Sequence, residues 1–261
     1  MAVQPLDALP IWLIYLLTVL IGILIVDVGF RAGRYWKTRH GIEKQENLGA
    51  LVGSTLALLA FLLAFMISIA TNRFDNRRQL VIAEANAIGT LYLRTGYLDE
   101  PDRTDIRTWL REYVDLRLLA VADPSQLASA RTRAEDLQMK MWGRAEALAR
   151  AQPDSDMVAI YIQALNEVID LQTSRLAAAS ARIPLTTWLT ILTVAFLTLA
   201  MVGFGNGISG NRHLIVQVAL VMVFAAVIFL IVDLDRPTEG LLTVSQQPLI
   251  DLQQQLPTID P

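Results

Sequence analysis

The sequence contains no cysteine and only two histidines in 261 residues. The absence of cysteine excludes a disulfide framework, a thiol nucleophile, a cysteine-based zinc finger and an iron–sulfur site. The two histidines, His40 and His213, belong to no spacing that is typical of metal ligation or acid–base catalysis. We therefore expect that the protein is not an enzyme and that it holds no cofactor or metal ion.

Charged residues are also scarce. Asp, Glu, Lys and Arg make up 18% of the chain, whereas soluble domains contain about a quarter, and 54% of the residues are hydrophobic. Residues 72–183 hold 15 of the 22 basic residues and 16 of the 25 acidic ones, so this polar middle is almost neutral. The composition excludes an ordinary soluble domain. It also disfavours binding of nucleic acid, which requires many basic contacts to phosphates.

Four long apolar runs lie outside the polar middle. A helix that crosses the hydrocarbon core of a bilayer needs about 20 apolar residues. Runs of this length occupy residues 9–30, 48–71, 185–204 and 214–232. Each must be helical, because lipid offers no partner for an unpaired backbone N–H or C=O group. We predict an all-α polytopic membrane protein with four transmembrane helices and a helical extramembrane domain between the second and the third.

The predicted organisation has four parts. Residues 1–71 form the first two transmembrane helices and a short basic loop, residues 72–183 the extramembrane domain, residues 184–236 the last two transmembrane helices, and residues 237–261 a C-terminal tail. The second helix should continue past the membrane, because no proline interrupts residues 73–97. Pro101, Pro124 and Pro153 predict the breaks between the helices of the domain, with Asp123 as a helix cap before Pro124.

Residues 205–210 (GNGISG) match the G-x-G-x-x-G pattern of dinucleotide-binding loops. The pattern has this meaning only after a strand and within a βαβ unit, and the surrounding sequence predicts neither. We interpret these residues as a tight turn between the third and fourth transmembrane helices, in which glycine permits a positive φ angle.

The second transmembrane helix carries a regular set of residues that are separated by alternating steps of four and three. These steps place them on one face of a helix. The set consists of Ser54, Leu58, Phe61, Phe65, Ser68 and Asn72. Polar residues at both ends and two Phe residues in the middle suit a pore lining with a hydrophobic constriction. Alternatively, Phe61 and Phe65 pack against a neighbouring helix while Ser68 bonds to its own backbone. Spacing alone favours this second interpretation, since apolar helices easily produce such stripes.

A cluster of charges follows the second span, and a second group ends the fourth span at the same membrane face. The residues are Arg73, Asp75, Arg77, Arg78, Asp233, Asp235 and Arg236. Opposite charges at one depth favour a structural ion pair between one of the arginines and Asp233 or Asp235. The arginines also suit a ring that draws anions to the mouth of a pore in an oligomer. Near the opposite membrane face, Asp27 and Arg31 are spaced for an i,i+4 ion pair.

Three segments carry a resemblance to a known family. Residues 64–78 (AFMISIATNRFDNRR), 84–90 (EANAIGT) and 233–237 (DLDRP) resemble the bestrophin-like family of bacterial membrane proteins, which is distantly similar to the bestrophin anion channels. In bestrophins, which are pentamers, the second span lines the pore and carries a bulky apolar neck followed by an aromatic, Asp and Arg cluster. By position, the resemblance implies that Phe61 and Phe65 form the neck, and that Phe74, Asp75 and Arg77 form the cluster.

The sequence departs from bestrophins after the fourth span. Bestrophins continue there with a run of acids that clasps calcium, whereas here only Asp233, Asp235 and Glu239 are nearby. We therefore expect no calcium site. The resemblance implies an ion channel of the bacterial inner membrane that favours anions and assembles from identical subunits. The expected partners are the lipid bilayer, further copies of the chain and inorganic ions. The alternative is a membrane-anchored scaffold or sensor whose helical domain binds a protein partner.

The orientation in the membrane is the first testable prediction. The loop between the first two spans carries five basic residues, Arg31, Arg34, Lys37, Arg39 and Lys44, while no basic residue precedes the first span. Short basic loops stay in the cytoplasm, which predicts a periplasmic central domain. In intact cells, an impermeant thiol reagent should label a Ser129→Cys variant and spare a Thr38→Cys variant. Reversed labelling would support the cytoplasmic domain that the resemblance to bestrophins implies.

Overall fold

The structure is a computed structural model that describes residues 9–40, 48–237 and 240–256. Lys44 and Glu239 lie outside the described residues, as does the side chain of His40. The described helices are α1 (Ile11–His40), α2 (Leu48–Arg94), α3 (Asp102–Ala122), α4 (Leu127–Ala151), α5 (Asp156–Ser180), α6 (Leu185–Ser209), α7 (Leu214–Asp235) and α8 (Gln247–Gln255). No strand occurs in these ranges. The predicted fold class is confirmed.

Within the described residues, four helices are long and apolar enough to cross a membrane, and they include α1, α2, α6 and α7. This confirms the four predicted spans. The helices extend beyond the predicted apolar runs, with α1 continuing to His40 and α6 to Ser209. Such extensions are expected. The length of an apolar run indicates how much of a helix lipid can cover, whereas the helix itself ends where its backbone hydrogen bonds end.

The long second helix and the breaks of the polar region also agree with the sequence. Helix α2 has 47 residues without interruption and ends in a 3₁₀ turn over Thr95–Tyr97. Helix α3 begins directly after Pro101, and α5 begins after Pro153. The carboxylate of Asp123 accepts a hydrogen bond from the backbone N–H of Ser125, so it caps as predicted. The element that it caps is a short 3₁₀ turn over Pro124–Gln126, and α4 follows this turn.

The chain divides into two compact units. The first comprises residues 1–74 and 181–243, and its described part contains α1, the first half of α2, α6 and α7. One face of α2 packs here against the other spans. The buried residues of this core include Leu59, Leu63, Met66, Ala70, Trp188, Ile191, Ala195, Ile228 and Ile231.

The second unit comprises residues 75–180 and 244–261. Its core joins the second half of α2 to α3, α4, α5 and α8, with Leu91, Tyr92, Ile106, Tyr113 and Leu165 fully buried. The sequence analysis treated residues 237–261 as a tail, but α8 belongs to this core. Its Leu249 and Leu252 are buried, as is Leu256 just beyond it.

The predicted turn over residues 205–210 is wrong in its extent. Helix α6 continues through Gly205 and Gly207 to Ser209, and only Gly210 leaves the helix with a positive φ of 80°. The glycines inside α6 permit close packing against α1. A Cβ atom at Gly203 or Gly207 would overlap the backbone carbonyl oxygen of Val26 or Phe30, respectively.

The same contact is reciprocal on α1. A Cβ atom at Gly29 or Gly33 would overlap the carbonyl oxygen of Ala200 or Phe204. Each helix therefore contributes two glycines four residues apart, the small-xxx-small arrangement by which membrane helices approach backbone to backbone. This arrangement explains why glycine occurs within α6, where the sequence analysis predicted a turn.

The close contact between α1 and α6 predicts a large difference between two Gly→Ala substitutions. Gly207→Ala forces the helices apart, and overpacking of this kind costs about 1–3 kcal/mol. Gly143→Ala places a Cβ atom in open space on α4, where alanine is favoured over glycine by about 0.5–1 kcal/mol. In detergent, the melting temperature should fall for Gly207→Ala and stay level or rise for Gly143→Ala. Equal melting temperatures would contradict the contact.

Candidate pore-lining face

Helix α2 has a buried face and an exposed face within the first unit. Leu59, Leu63, Met66 and Ala70 form the buried face. All six residues of the predicted pore lining are exposed, namely Ser54, Leu58, Phe61, Phe65, Ser68 and Asn72. Phe61 is 68% exposed and Phe65 is 61% exposed, so neither packs against a neighbouring helix of the described chain. We call this set the α2 face.

The α2 face has the dimensions of a membrane crossing. Its first and last residues, Ser54 and Asn72, are separated by about 27 Å of helix, and the hydrocarbon core of a bilayer is about 30 Å thick. Phe61 lies seven residues after Ser54, and Phe65 lies seven residues before Asn72. The two aromatic rings therefore stand near mid-depth, about 10 Å of helix from either polar end.

The exposed face of α7 has a different chemistry. From Leu214 to Leu230 its exposed residues are all apolar, and they include Ile215, Val216, Met222 and Val223. This composition is typical of a surface that contacts lipid. On α6, the exposed Thr190 donates its hydroxyl hydrogen to the carbonyl oxygen of Thr186, so this polar group is satisfied within its own helix. The α2 face combines an amide, two hydroxyls and two aromatic rings, and one of these hydroxyls, that of Ser54, likewise donates within its own helix, to the carbonyl oxygen of Leu51.

The arginines that follow the α2 face differ in exposure. Arg77 is buried and Arg73 is partly buried, whereas Asp75 and Arg78 are exposed. The Nη1 atom of Arg73 is buried and has no hydrogen-bond partner within the part of the chain that the structure describes. A guanidinium nitrogen in this situation lacks the acceptor that its charge requires, which makes it a candidate contact for an anion.

The acidic residues at the end of α7 are buried and bonded within the first unit. The carboxylate of Asp235 accepts the backbone N–H of Ile183 at 3.1 Å and lies 3.7 Å from the Nη1 atom of Arg182. Arg182 also donates to the carbonyl oxygen of Asp235. Arg182 was not among the predicted partners of Asp235. Pairing of Asp233 or Asp235 with Arg77 or Arg78 stays a prediction.

Asp233 holds the segment that follows α7. Its two carboxylate oxygens accept the backbone N–H groups of Leu241 and Leu242 at 2.8 and 3.1 Å. A Cβ atom at Gly240, which has a φ of 155°, would overlap one of these oxygens, so glycine is required there. Arg236 donates to the carbonyl oxygen of Leu9 at 2.7 Å. Through these bonds, side chains at the end of α7 hold the backbone of Leu9, Leu241 and Leu242 in place.

A buried polar cluster in the second unit was missed by the sequence analysis. Glu84 is fully buried. Its carboxylate pairs with Arg117 at 3.0 Å and with Arg175, and the hydroxyl of Tyr113 lies 3.0 Å away. Burial, and then the charge of Glu84, raise the pKa of Tyr113 above its usual range. The position of Glu84 between buried Val81, Ala85 and Ile88 was the signal that could have revealed it.

Across residues 9–40, 48–237 and 240–256, no group of three or more His, Cys, Asp or Glu residues is arranged to hold a metal ion.

The described residues define a polytopic all-α membrane protein whose second span exposes one polar and aromatic face. A family model, the Bestrophin-like domain, matches residues 19–249. The chain belongs to the bestrophin-like family. Among curated proteins, no sequence matches this chain.

Solved structures share the fold. A crystal structure of a bacterial bestrophin homologue from Klebsiella pneumoniae is 18% identical, covers 94% of this chain and 97% of its own, and has a TM-score of 0.68. A mutant of the Klebsiella pneumoniae bestrophin homologue has the same identity and coverage, with a TM-score of 0.69. A crystal structure described as a membrane protein also gives 18% identity, with 94% and 97% coverage and a TM-score of 0.69. At this identity, the likeness shows a common fold.

The bonds of Asp235 predict its contribution to stability. Asp235→Ala removes a buried carboxylate from the partly buried Arg182 and from the backbone N–H of Ile183, and breaking a buried pair costs about 3–5 kcal/mol. We expect a large decrease of the melting temperature in detergent. Asp75→Ala, at an exposed position, is the matched control and should change it little. An unchanged melting temperature for Asp235→Ala would show that the pair contributes nothing measurable.

Proposed function

We propose that the protein is a homo-oligomeric ion channel of the bacterial inner membrane, with the α2 face lining its pore. The observation that carries this proposal is the exposure of all six residues of the α2 face in the single chain. In hydrocarbon, an uncovered amide such as that of Asn72 is costly. Water in a pore solvates the same group without that cost.

A single copy of α2 cannot enclose water. If several copies surround one axis, each presents its α2 face inward while the apolar face of α7 remains in contact with lipid. Membership of the bestrophin-like family and the fold shared with a bacterial bestrophin homologue support this assembly. The resemblance to bestrophins supports five subunits.

Phe61 and Phe65 form the constriction in this proposal. A ring of aromatic side chains at mid-depth is narrow and apolar, and such a constriction excludes water and opposes the passage of ions. The polar ends of the face, at Ser54 and Asn72, provide wet vestibules on both sides. The channel would conduct when the rings move apart or rotate.

The charges beyond Asn72 support a preference for anions. Arg73 and Arg78 against Asp75 give this end of the α2 face a formal charge of +1, two minus one, because Arg77 is buried. A ring of subunits multiplies this charge, and a positive mouth raises the local concentration of anions. The unpartnered Nη1 atom of Arg73 supports the same preference.

The short basic loop supports a periplasmic central domain. The resemblance to cytoplasmic domains of bestrophins supports the opposite. The pore proposal holds for either orientation.

Truncation of the constriction tests the proposal. The double variant Phe61→Ala/Phe65→Ala widens and wets the narrow level, so liposomes that contain it should release chloride faster than liposomes with the wild-type protein. Sodium release, measured in parallel, reports whether anions are preferred. The matched control is Leu16→Ala/Leu20→Ala, an equally spaced pair on α1 whose side chains are 53% and 56% exposed. The control should release chloride at the wild-type rate.

Assembly must be measured beside flux, by size-exclusion chromatography of every variant. If the Phe residues are instead packed between subunits, truncation leaves cavities that destabilise the oligomer without increased flux. A double variant that assembles normally and releases chloride no faster than wild type contradicts the pore lining. That result would favour the alternative, an anchored scaffold or sensor whose helical domain binds a protein.

A further inference from the structure

Helices α1 and α7 leave a cavity of about 230 Å³ within the first unit. It lies at the end of α1 that leads into the basic loop. Leu24 and Leu214 line the cavity and are more than half exposed, so it opens to the surface of the unit. Val221, which is buried, forms part of its inner wall. The apolar wall and the position beside two membrane helices fit a hydrocarbon chain.

The outer end of the cavity carries a group of three charges. Asp27 lies 2.7 Å from the Nε atom of Arg31, which confirms the predicted pair, and 2.6 Å from the Nη2 atom of Arg212. One carboxylate thus serves two guanidinium groups, and the group keeps a formal charge of +1. Both arginine side chains are more than half exposed. Because a guanidinium has five N–H donors, donors remain for an anion.

The buried amide of Gln217 stands between the charges and the apolar wall. Gln217 lines the cavity and is only 6% exposed, yet its Nε2 atom has no hydrogen-bond partner among the described residues. A buried amide without a partner costs a few kcal/mol. Gln217 lies in the first turn of α7. A polar atom of a molecule that enters the cavity would supply the missing acceptor.

We propose that this cavity binds an anionic glycerophospholipid. Its phosphate accepts hydrogen bonds from Arg31 and Arg212, an ester carbonyl oxygen accepts from Gln217 Nε2, and one acyl chain lies along Val221. The order of phosphate, ester and hydrocarbon in the lipid matches the order of arginines, amide and apolar wall in the cavity. The remaining positive charge selects a lipid whose head group adds no cation. This site is independent of whether the α2 face conducts ions.

Native mass spectrometry of the delipidated full-length oligomer tests the site. Three probes separate the possible sources of binding: phosphatidylglycerol, diacylglycerol with the same chains, and inorganic phosphate. We expect one phosphatidylglycerol per chain, bound about tenfold more tightly than diacylglycerol because of the charged hydrogen bonds. Inorganic phosphate should neither remain bound nor displace the lipid. Displacement by inorganic phosphate would show a simple anion site and overturn the proposal.

Three variants assign the contacts. Arg212→Ala should remove the preference for phosphatidylglycerol over diacylglycerol, and Gln217→Leu should weaken both to a similar degree. Arg39→Ala is the control, since Arg39 is exposed at the end of α1 and lies outside the cavity. Size-exclusion chromatography shows whether each variant folds, and Arg31→Ala replaces Arg212→Ala if that variant does not. Wild-type lipid binding by folded arginine and glutamine variants would contradict the proposed site.

Discussion

The hydrocarbon core of a bilayer supplies no hydrogen-bond partner, and the arrangement of the membrane unit follows from this constraint. Backbone groups are paired within helices in every described span. Thr190 turns its hydroxyl back to its own helix, and Asp27 is matched by two arginines. Against this background, polar groups without a partner among the described residues stand out, and they include the Nη1 atom of Arg73, the Nε1 atom of Trp188 and the Nε2 atom of Gln217. The two proposals above supply what the single chain does not, water beside the α2 face and a lipid beside Gln217.

Close packing of α1 and α6 gives the unit its second organising feature. The four glycines bring the two backbones into contact, which a leucine-rich interface cannot do. Helix α2 packs differently, through Leu59, Leu63 and Met66, so one side of it is held firmly while the other stays exposed. A helix with one exposed polar and aromatic face is a suitable element for lining a pore, as proposed above.

The sequence predicted the features that depend on local chemistry. Apolar runs of membrane length located the spans, and Pro101 and Pro153 located the breaks, because lipid and proline constrain the backbone wherever they occur. The period of the α2 face located its six residues, yet spacing alone could not separate a pore lining from internal packing. Exposure of Phe61 and Phe65 shows that they do not pack against the other described helices, and exposure is a property of the whole fold.

Features that depend on distant partners were not predictable in this way. Glu84 is buried because Arg117 and Arg175 reach it, and Arg175 lies 91 residues away along the chain. The role of Gly207 depends on its register against Phe30 of another helix, since glycine serves a turn and a close contact equally well. Likewise, Asp233 accepts hydrogen bonds from the backbone N–H groups of Leu241 and Leu242. Because nearly every residue type has a backbone N–H group, the sequence does not reveal such a partner.

The central claim is that copies of α2 surround a common axis. A cryo-electron microscopy map of the purified oligomer in lipid nanodiscs, viewed along its symmetry axis, tests it most directly. The account predicts a closed ring with Phe61 and Phe65 of every copy at the narrowest level and α7 at the lipid boundary. A map in which the α2 face meets lipid, or in which α7 lines the axis, would contradict it.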